Sequence, residues 1–134
     1  MLAVTSYNGD YLAARRAEVA AQLKAYRKLL KAAPDEAKAF APGHFASLVL
    51  ALDSYFLHRQ RSLEGKEGGA LNELRMLCDG IKDNYGVMGQ NATIKYDAGK
   101  SVTGIAAGEK ILLDDKLFER LAEATFADVG KRYR

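Results

Sequence analysis

A long apolar stripe between residues 44 and 62 limits the possible folds of this chain more than any other feature. Large apolar side chains recur there at three- and four-residue steps: Phe45, Leu48, Val49, Leu52 and Phe56. This spacing follows the 3.6-residue turn of an α-helix and places the side chains on one face. Ala46, Leu50 and Leu57 add a second apolar patch beside the first. An apolar arc this wide predicts a helix that packs on two sides, in the middle of a bundle.

Three further segments have helical periodicity and complete the expected architecture. They span residues 10–32, 70–84 and 115–130. Pro34 is expected to end the first helix, and Pro42-Gly43 is expected to break the chain again after a short turn at residues 35–41. Asp114 and Asp115 are expected to cap the last helix. The sequence therefore predicts a mainly α, four-helix bundle-like domain that spans residues 1–134 as a single domain.

Residues 92–113 have a different pattern from the rest of the chain. Residues 92–96 alternate between apolar and polar side chains, and residues 101–105 and 110–113 are short β-branched or aliphatic runs. The pattern predicts a small antiparallel β hairpin or three-stranded meander between the third and fourth helices. Because an isolated hairpin is only marginally stable, we expect it to lie against the helices.

Composition excludes several classes of protein. Of the 134 residues, 49% are apolar and 28% are charged, the usual balance of a globular chain, and the net charge of +3 is too small to imply a nucleic-acid partner. Cys78 is the single cysteine, so no intrachain disulfide can form. The apolar residues 2–4 are too few for a signal peptide, and no apolar run approaches the roughly 20 residues of a membrane span. A cytoplasmic protein without membrane association is expected.

The connection between the second and third predicted helices contains the richest polar stretch. Its candidate ligand-binding residues are His58, Arg59, Arg61, Asn72, Glu73 and Arg75, with Lys66 and three glycines between them. Glycines before a helix let backbone N–H groups approach an anion, and arginines bind phosphate or carboxylate. This connection contains neither GxGxxG nor the complete phosphate-loop motif Gly-x-x-x-x-Gly-Lys-Ser/Thr. The alternative interpretation is a solvated connection with ordinary charged flanks.

Asp53 is the seventh candidate because a helical projection places it between Val49 and Leu57, inside the apolar arc. A carboxylate on a packed face must be paired, hydrogen-bonded or protonated. Asp53 is therefore either a functional acid or the structural partner of an arginine such as Arg59 or Arg75.

Metal and thiol chemistry are not predicted. His44 and His58 are fourteen residues apart, about 21 Å along one straight helix, so they cannot share an ion. Cys78 lies among leucines on an apolar face, where a thiol is inert and serves packing. No metal and no cofactor are therefore predicted.

Three functional hypotheses remain open. The first is a non-enzymatic binding or interaction protein that uses the junction of the second and third helices for a small anionic ligand, a protein partner or a second copy in a homo-oligomer. The second is a small acid–base enzyme with His58 or Glu73 as base and Arg75 as charge stabiliser. The third is weak nucleic-acid binding through the basic side of the first helix. That side carries Arg16, Lys24, Arg27, Lys28 and Lys31.

Overall fold

The computed structural model describes residues 2–134, which contain five α-helices packed as a bundle. The helices are α1 (Gly9–Ala32), α2 (Pro34–Ser54), α3 (Arg61–Glu64), α4 (Ala70–Asp83) and α5 (Asp115–Arg132). A single 3-10 turn follows α4, at Ala98–Lys100. Helices α2 and α5 each contact the three other long helices of the bundle. The mainly helical, bundle-like architecture is confirmed, and no helix in the described chain is long and apolar enough to cross a membrane.

Helix α2 begins and ends at residues other than the predicted 44 and 62. It begins at Pro34 and continues through Pro42, so the predicted chain break at Pro42-Gly43 is wrong. Proline removes one backbone hydrogen bond from a helix interior, which normally disfavours the helix there. Ala37, Ala41 and Phe45 lie on one face of α2 and are fully or almost fully buried. The burial of this face on both sides of Pro42 keeps the chain helical.

The C-terminal end of α2 is set by long-range backbone pairing. The Val4 amide donates to the His58 carbonyl at 2.7 Å, and the Gln60 amide donates to the Val4 carbonyl at 2.8 Å. The Tyr133 hydroxyl donates to the Gln60 carbonyl at 2.8 Å. Because these partners replace intrahelical bonds, the chain leaves the helix after Ser54 although the apolar pattern continues.

The predicted hairpin or meander at residues 92–113 is wrong: residues 2–134 contain only two isolated β-bridges and no strand. Some amides of this segment bond to side chains, and others bond to single backbone carbonyls outside it, such as the Lys95 amide to the Lys66 carbonyl. The amides of Thr93 and Ile94 bond to the Asn91 side chain, and those of Val102 and Thr103 bond to the Glu73 carboxylate. The alternating pattern arose because single side chains of the segment are buried against the helices. These side chains are Ile94, Ile105, Ile111 and Leu113.

Cys78 belongs to the hydrophobic core, as its position on α4 predicted. Its side chain is 2% exposed, and its sulfur lies 3.7 Å from the Val49 carbonyl of α2. Burial raises the pKa of the Cys78 thiol to about 12, so the thiol is protonated at neutral pH.

The end of α4 contains a strained residue, from which we predict a stabilising substitution. Tyr85 has φ +56° and a fully exposed side chain, and the Gly86 amide donates to the Gly80 carbonyl at 2.9 Å across it. A left-handed backbone is costly for any residue with a Cβ, whereas glycine adopts it freely at a helix C-terminus. Tyr85→Gly should therefore raise the midpoint of thermal unfolding by about 2–4 °C. Tyr85→Ala keeps the Cβ and should give no gain, so an equal gain in both variants would contradict the explanation.

Candidate functional site

The predicted site residues do not form one cluster. Arg59, Asn72 and Arg75 meet around a carboxylate that was not among the candidates, that of Glu64, and Asp53 joins this group through Arg59. His58 and Arg61 are exposed, and Glu73 is buried with partners of its own, described below.

Glu64, the last residue of α3, is the centre of this polar network. Its carboxylate accepts from Arg59 Nε at 2.8 Å, from Arg75 Nη2 at 2.8 Å and Nε at 3.0 Å, and from Asn72 Nδ2 at 2.8 Å. The side chains of Glu64 and Arg59 are each 1% exposed, and that of Arg75 is 24% exposed. Three side chains, with four donor nitrogen atoms, therefore converge on one carboxylate that has almost no contact with solvent.

Asp53 extends the network into α2. Its carboxylate lies 3.0 Å from Arg59 Nη1, which also donates to the Phe56 carbonyl at 3.0 Å. Arg59 Nη2 is buried and has no hydrogen-bond partner within residues 2–134. Of the two interpretations of Asp53, the structural ion pair with Arg59 is the one that the geometry supports.

The charges around Glu64 determine its protonation state. Burial by itself would raise the pKa of the Glu64 carboxyl, but hydrogen bonds from Arg75 and the positive charge of Arg59 outweigh it and hold the pKa below 4.5. The carboxylate is thus ionised at neutral pH. Its negative charge compensates part of the positive charge of Arg59 and Arg75. Those arginines are consequently not free to bind an external anion.

The glycines of the junction allow other segments of the protein to approach the backbone closely. A Cβ on Gly65 would lie 2.9 Å from Arg132 Nη1, and a Cβ on Gly68 would lie 2.3 Å from the Lys95 carbonyl oxygen. The Leu71 amide in the first turn of α4 donates to the Asp128 carboxylate at 3.2 Å. Side chains of α5 and the segment around residue 95 therefore occupy the space in which the sequence suggested a ligand at the helix N-terminus.

Glu73 holds the segment that follows α4. Its carboxylate accepts from the amides of Val102 and Thr103, both at 2.9 Å, and from the Thr103 hydroxyl at 2.5 Å. No hydrogen bond joins Glu73 to His58 or Arg75 in the described part of the chain. The acid–base hypothesis stays a prediction, without a shared contact among its three residues.

A cavity of about 600 Å³ lies beside the network, at α3 and the turn after it. It is lined by Arg61, Ser62, Gly65, Lys66, Glu67 and Ile94. Arg61 and Lys66 have no carboxylate within 4.0 Å among residues 2–134, whereas Glu67 lies 3.8 Å from Lys95. The cavity thus presents two unpaired cations, of which the sequence pattern had indicated only Arg61 as a site residue.

Glu64 was missed because its role in the network depends on contacts that no sequence motif indicates. Glu64 stands five residues after Arg59 and eleven before Arg75, a spacing that matches neither a helix face nor a known motif. The available signal was an acid among several bases in a short glycine-containing segment.

The basic side of α1 is partly engaged within the protein. Arg27 Nε lies 2.7 Å from the Asp115 carboxylate and Nη2 lies 3.1 Å from that of Glu119, and the Arg16 guanidinium lies 4.8 Å from the centre of the Phe126 ring. These contacts leave the three lysines of the predicted stripe for an external partner. Binding of nucleic acid there stays a prediction.

Comparison with known proteins adds no functional information. No family model, curated protein or solved structure matches this chain. Within residues 2–134, no group of three or more His, Cys, Asp and Glu side chains is placed to hold a metal ion. A functional proposal must therefore rest on the side chains at the junction.

Proposed function

We propose that this protein binds a small phosphate- or carboxylate-bearing ligand in the cavity lined by Arg61 and Lys66. One observation carries the proposal: both cations face a 600 Å³ cavity without a carboxylate partner within residues 2–134, while the neighbouring Arg59 and Arg75 are paired with Glu64. Unpaired cations in a concave site attract anions, and the cavity volume lies in the range of ligand sites.

The network around Glu64 supports the proposal because it fixes the backbone that carries the cations. A helix of four residues such as α3 is not stable by itself. Arg59, Asn72 and Arg75 hold Glu64 at the end of that helix. The next residue, Gly65, has φ +75° and ψ −174°, a conformation that is essentially restricted to glycine. A fixed backbone lowers the conformational cost of ligand binding.

The cavity wall fits an anion with a small neutral portion. Arg61 supplies a planar set of N–H donors, Lys66 supplies an ammonium group, and the Ser62 hydroxyl can donate a further hydrogen bond. Ile94 adds an apolar surface. No imidazole lines the cavity as the structure describes it, and its one carboxylate, Glu67, is paired with Lys95. These features favour binding over acid–base catalysis, and we place the function in the cytoplasm.

Removing both cations of the cavity tests the proposal. Calorimetric titration of the protein with inorganic phosphate, pyrophosphate and citrate should identify a bound anion. Arg61→Gln/Lys66→Gln should then weaken its binding by roughly tenfold or more for each cation, because hydrogen bonds to charged groups contribute about 1.5–3 kcal/mol. Both residues are exposed, so the double variant should keep the unfolding midpoint of the wild type.

A second double variant controls for net charge. Lys82→Gln/Lys131→Gln removes the same number of positive charges from exposed positions on α4 and α5 that lie outside the cavity, and it should bind these anions like the wild type. Equal losses in the two double variants would show non-specific attraction. Either that result or the absence of binding to all three anions would refute the proposed site.

A further inference from the structure

A second groove lies between α2 and the first turns of α5, and it is separate from the Arg61–Lys66 cavity. Its volume is about 880 Å³. Apolar side chains form much of its wall: Ala41, Pro42, Leu112, Leu113 and Leu117. The Leu112 side chain is 58% exposed and so leaves apolar surface open to a ligand. A mostly apolar wall with a few polar groups is the usual composition of a ligand site.

The cations of the groove have no partners, whereas its acids have them. Lys38 on α2 and Lys116 and Arg120 on α5 line the groove, and none has a carboxylate within 4.0 Å among residues 2–134. The Asp114 carboxylate accepts from the Leu117 amide at 2.8 Å, and the Glu119 carboxylate lies 3.1 Å from Arg27 Nη2. The groove therefore has three cations against two carboxylates, of which that of Glu119 is also paired with Arg27, so its net charge is positive.

The cations stand on two sides of the apolar wall. Lys116 and Arg120 are four residues apart and share one face of α5, while Lys38 belongs to α2. Pro42, next to Lys38 in the groove, contributes an exposed ring with no side-chain rotamers to lose on binding. A ligand that matches this arrangement has an anionic group for the cations and an apolar body for the wall.

We propose that this groove binds an amphipathic anion, namely an alkyl or acyl chain that ends in a phosphate or carboxylate. The inference is independent of the function proposed for the Arg61–Lys66 cavity, because the two sites share no lining residue. It requires both an anionic head group and an apolar chain, whereas the cavity at the junction requires only the anion.

A series of alkyl phosphates tests both requirements. Inorganic phosphate, hexyl phosphate and octyl phosphate are titrated as monomers, with octyl glucoside as the uncharged probe, and ¹H–¹⁵N spectra locate the binding. Affinity should rise with chain length by up to about fourfold for each buried methylene. The amides of Leu112 and Leu117 should shift, and octyl glucoside should bind much more weakly than octyl phosphate.

One double variant that changes the groove and one that changes the cavity at the junction separate the two sites. Lys116→Gln/Arg120→Gln should weaken octyl phosphate binding at least tenfold, and Arg61→Gln/Lys66→Gln should leave the shifts at Leu112 and Leu117 unchanged. The proposal is overturned if chain length has no effect, if octyl glucoside binds equally well, or if Lys116→Gln/Arg120→Gln binds like the wild type.

Vesicles distinguish the two sources of such a ligand. Sedimentation with phosphatidylglycerol vesicles that depends on Lys116 and Arg120 would support the groove as a site for a lipid in a membrane surface. Binding of monomeric octyl phosphate without vesicle sedimentation would support a free amphiphile. Failure to bind in both forms would overturn the proposal, and it would leave the anion titration at the junction unaffected.

Discussion

Glu64→Gln is expected to lower the free energy of unfolding by about 3–5 kcal/mol, because it leaves the buried Arg59 with only Asp53 as counter-charge and the partly buried Arg75 with no paired carboxylate. All the groups around the carboxylate are donors: Arg59 Nε, two nitrogens of Arg75 and Asn72 Nδ2. A glutamine amide would direct its own N–H₂ donors toward at least one of them. Urea unfolding at pH 7 measures the loss.

Glu67→Gln is the matched control for that substitution. Glu67 is 76% exposed and its contact with Lys95 is 3.8 Å, so we expect a change within about 0.5 kcal/mol. If Glu64→Gln were no more destabilising than Glu67→Gln, the network would not be a stabilising element.

The pH dependence gives a second check on Glu64. Its pKa in the folded protein lies below the unfolded value of 4.5, so the folded state favours the ionised form. The stabilisation is therefore fully present above pH 4.5 and is lost as the pH falls through the lower folded pKa. The difference in stability between the wild type and Glu64→Gln should shrink in the same pH range. A difference that stays constant down to pH 3 would contradict the ionic explanation.

Gly68→Ala is expected to destabilise the protein by about 3 kcal/mol or more. Gly68 has φ +83°, which costs a residue with a Cβ about 1–2 kcal/mol. The new Cβ would also lie 2.3 Å from the Lys95 carbonyl oxygen, a backbone atom that can move only with its segment. Forcing the two segments apart adds about 1–3 kcal/mol and strains the 2.8 Å bond from the Lys95 amide to the Lys66 carbonyl.

Two other glycines separate the contributions to that loss. Gly108 has φ +88° and no neighbour within 4 Å of a built Cβ, so Gly108→Ala should show the backbone cost alone. Gly43 lies inside α2 with open space around it, and Gly43→Ala should stabilise the protein by about 0.5–1 kcal/mol. Equal losses for Gly68→Ala and Gly108→Ala would show that the approach of residue 95 is not tight.

The sequence predicted elements best where a single local signal was strong. Helix α1 ends at Ala32, before Pro34, and the Asp114 side chain caps α5 at the Leu117 amide, as the pattern indicated. The break predicted at Pro42 was wrong because one missing hydrogen bond costs less free energy than is gained by burying the face on which Ala41 and Phe45 lie. Sequence rules for proline include the missing hydrogen bond, but the burial of this face is known only from the packing of the helices.

The polar network around Glu64 was predicted only in part, because its contacts also depend on packing. Composition located the junction and the arginines, and helical projection located Asp53, since these follow from residue type and period. Glu64 pairs with Arg59 and Arg75, whereas Arg61 and Lys66 have no carboxylate within 4.0 Å among residues 2–134, and this difference depends on how the chain packs around Glu64. Residue types alone do not indicate which cations are already paired.

The apolar stripe with period 3.6 determined by itself that this chain forms a helical bundle, because burial of that stripe requires helices on more than one side. Only the tertiary structure decided where the helix that carries the stripe ends. The Val4 amide and carbonyl and the Tyr133 hydroxyl, contributed by segments near the two ends of the described chain, bond to the backbone at residues 58 and 60. Hydrogen bonds between segments so distant in sequence leave no periodic signal in either segment, so no local pattern can predict them.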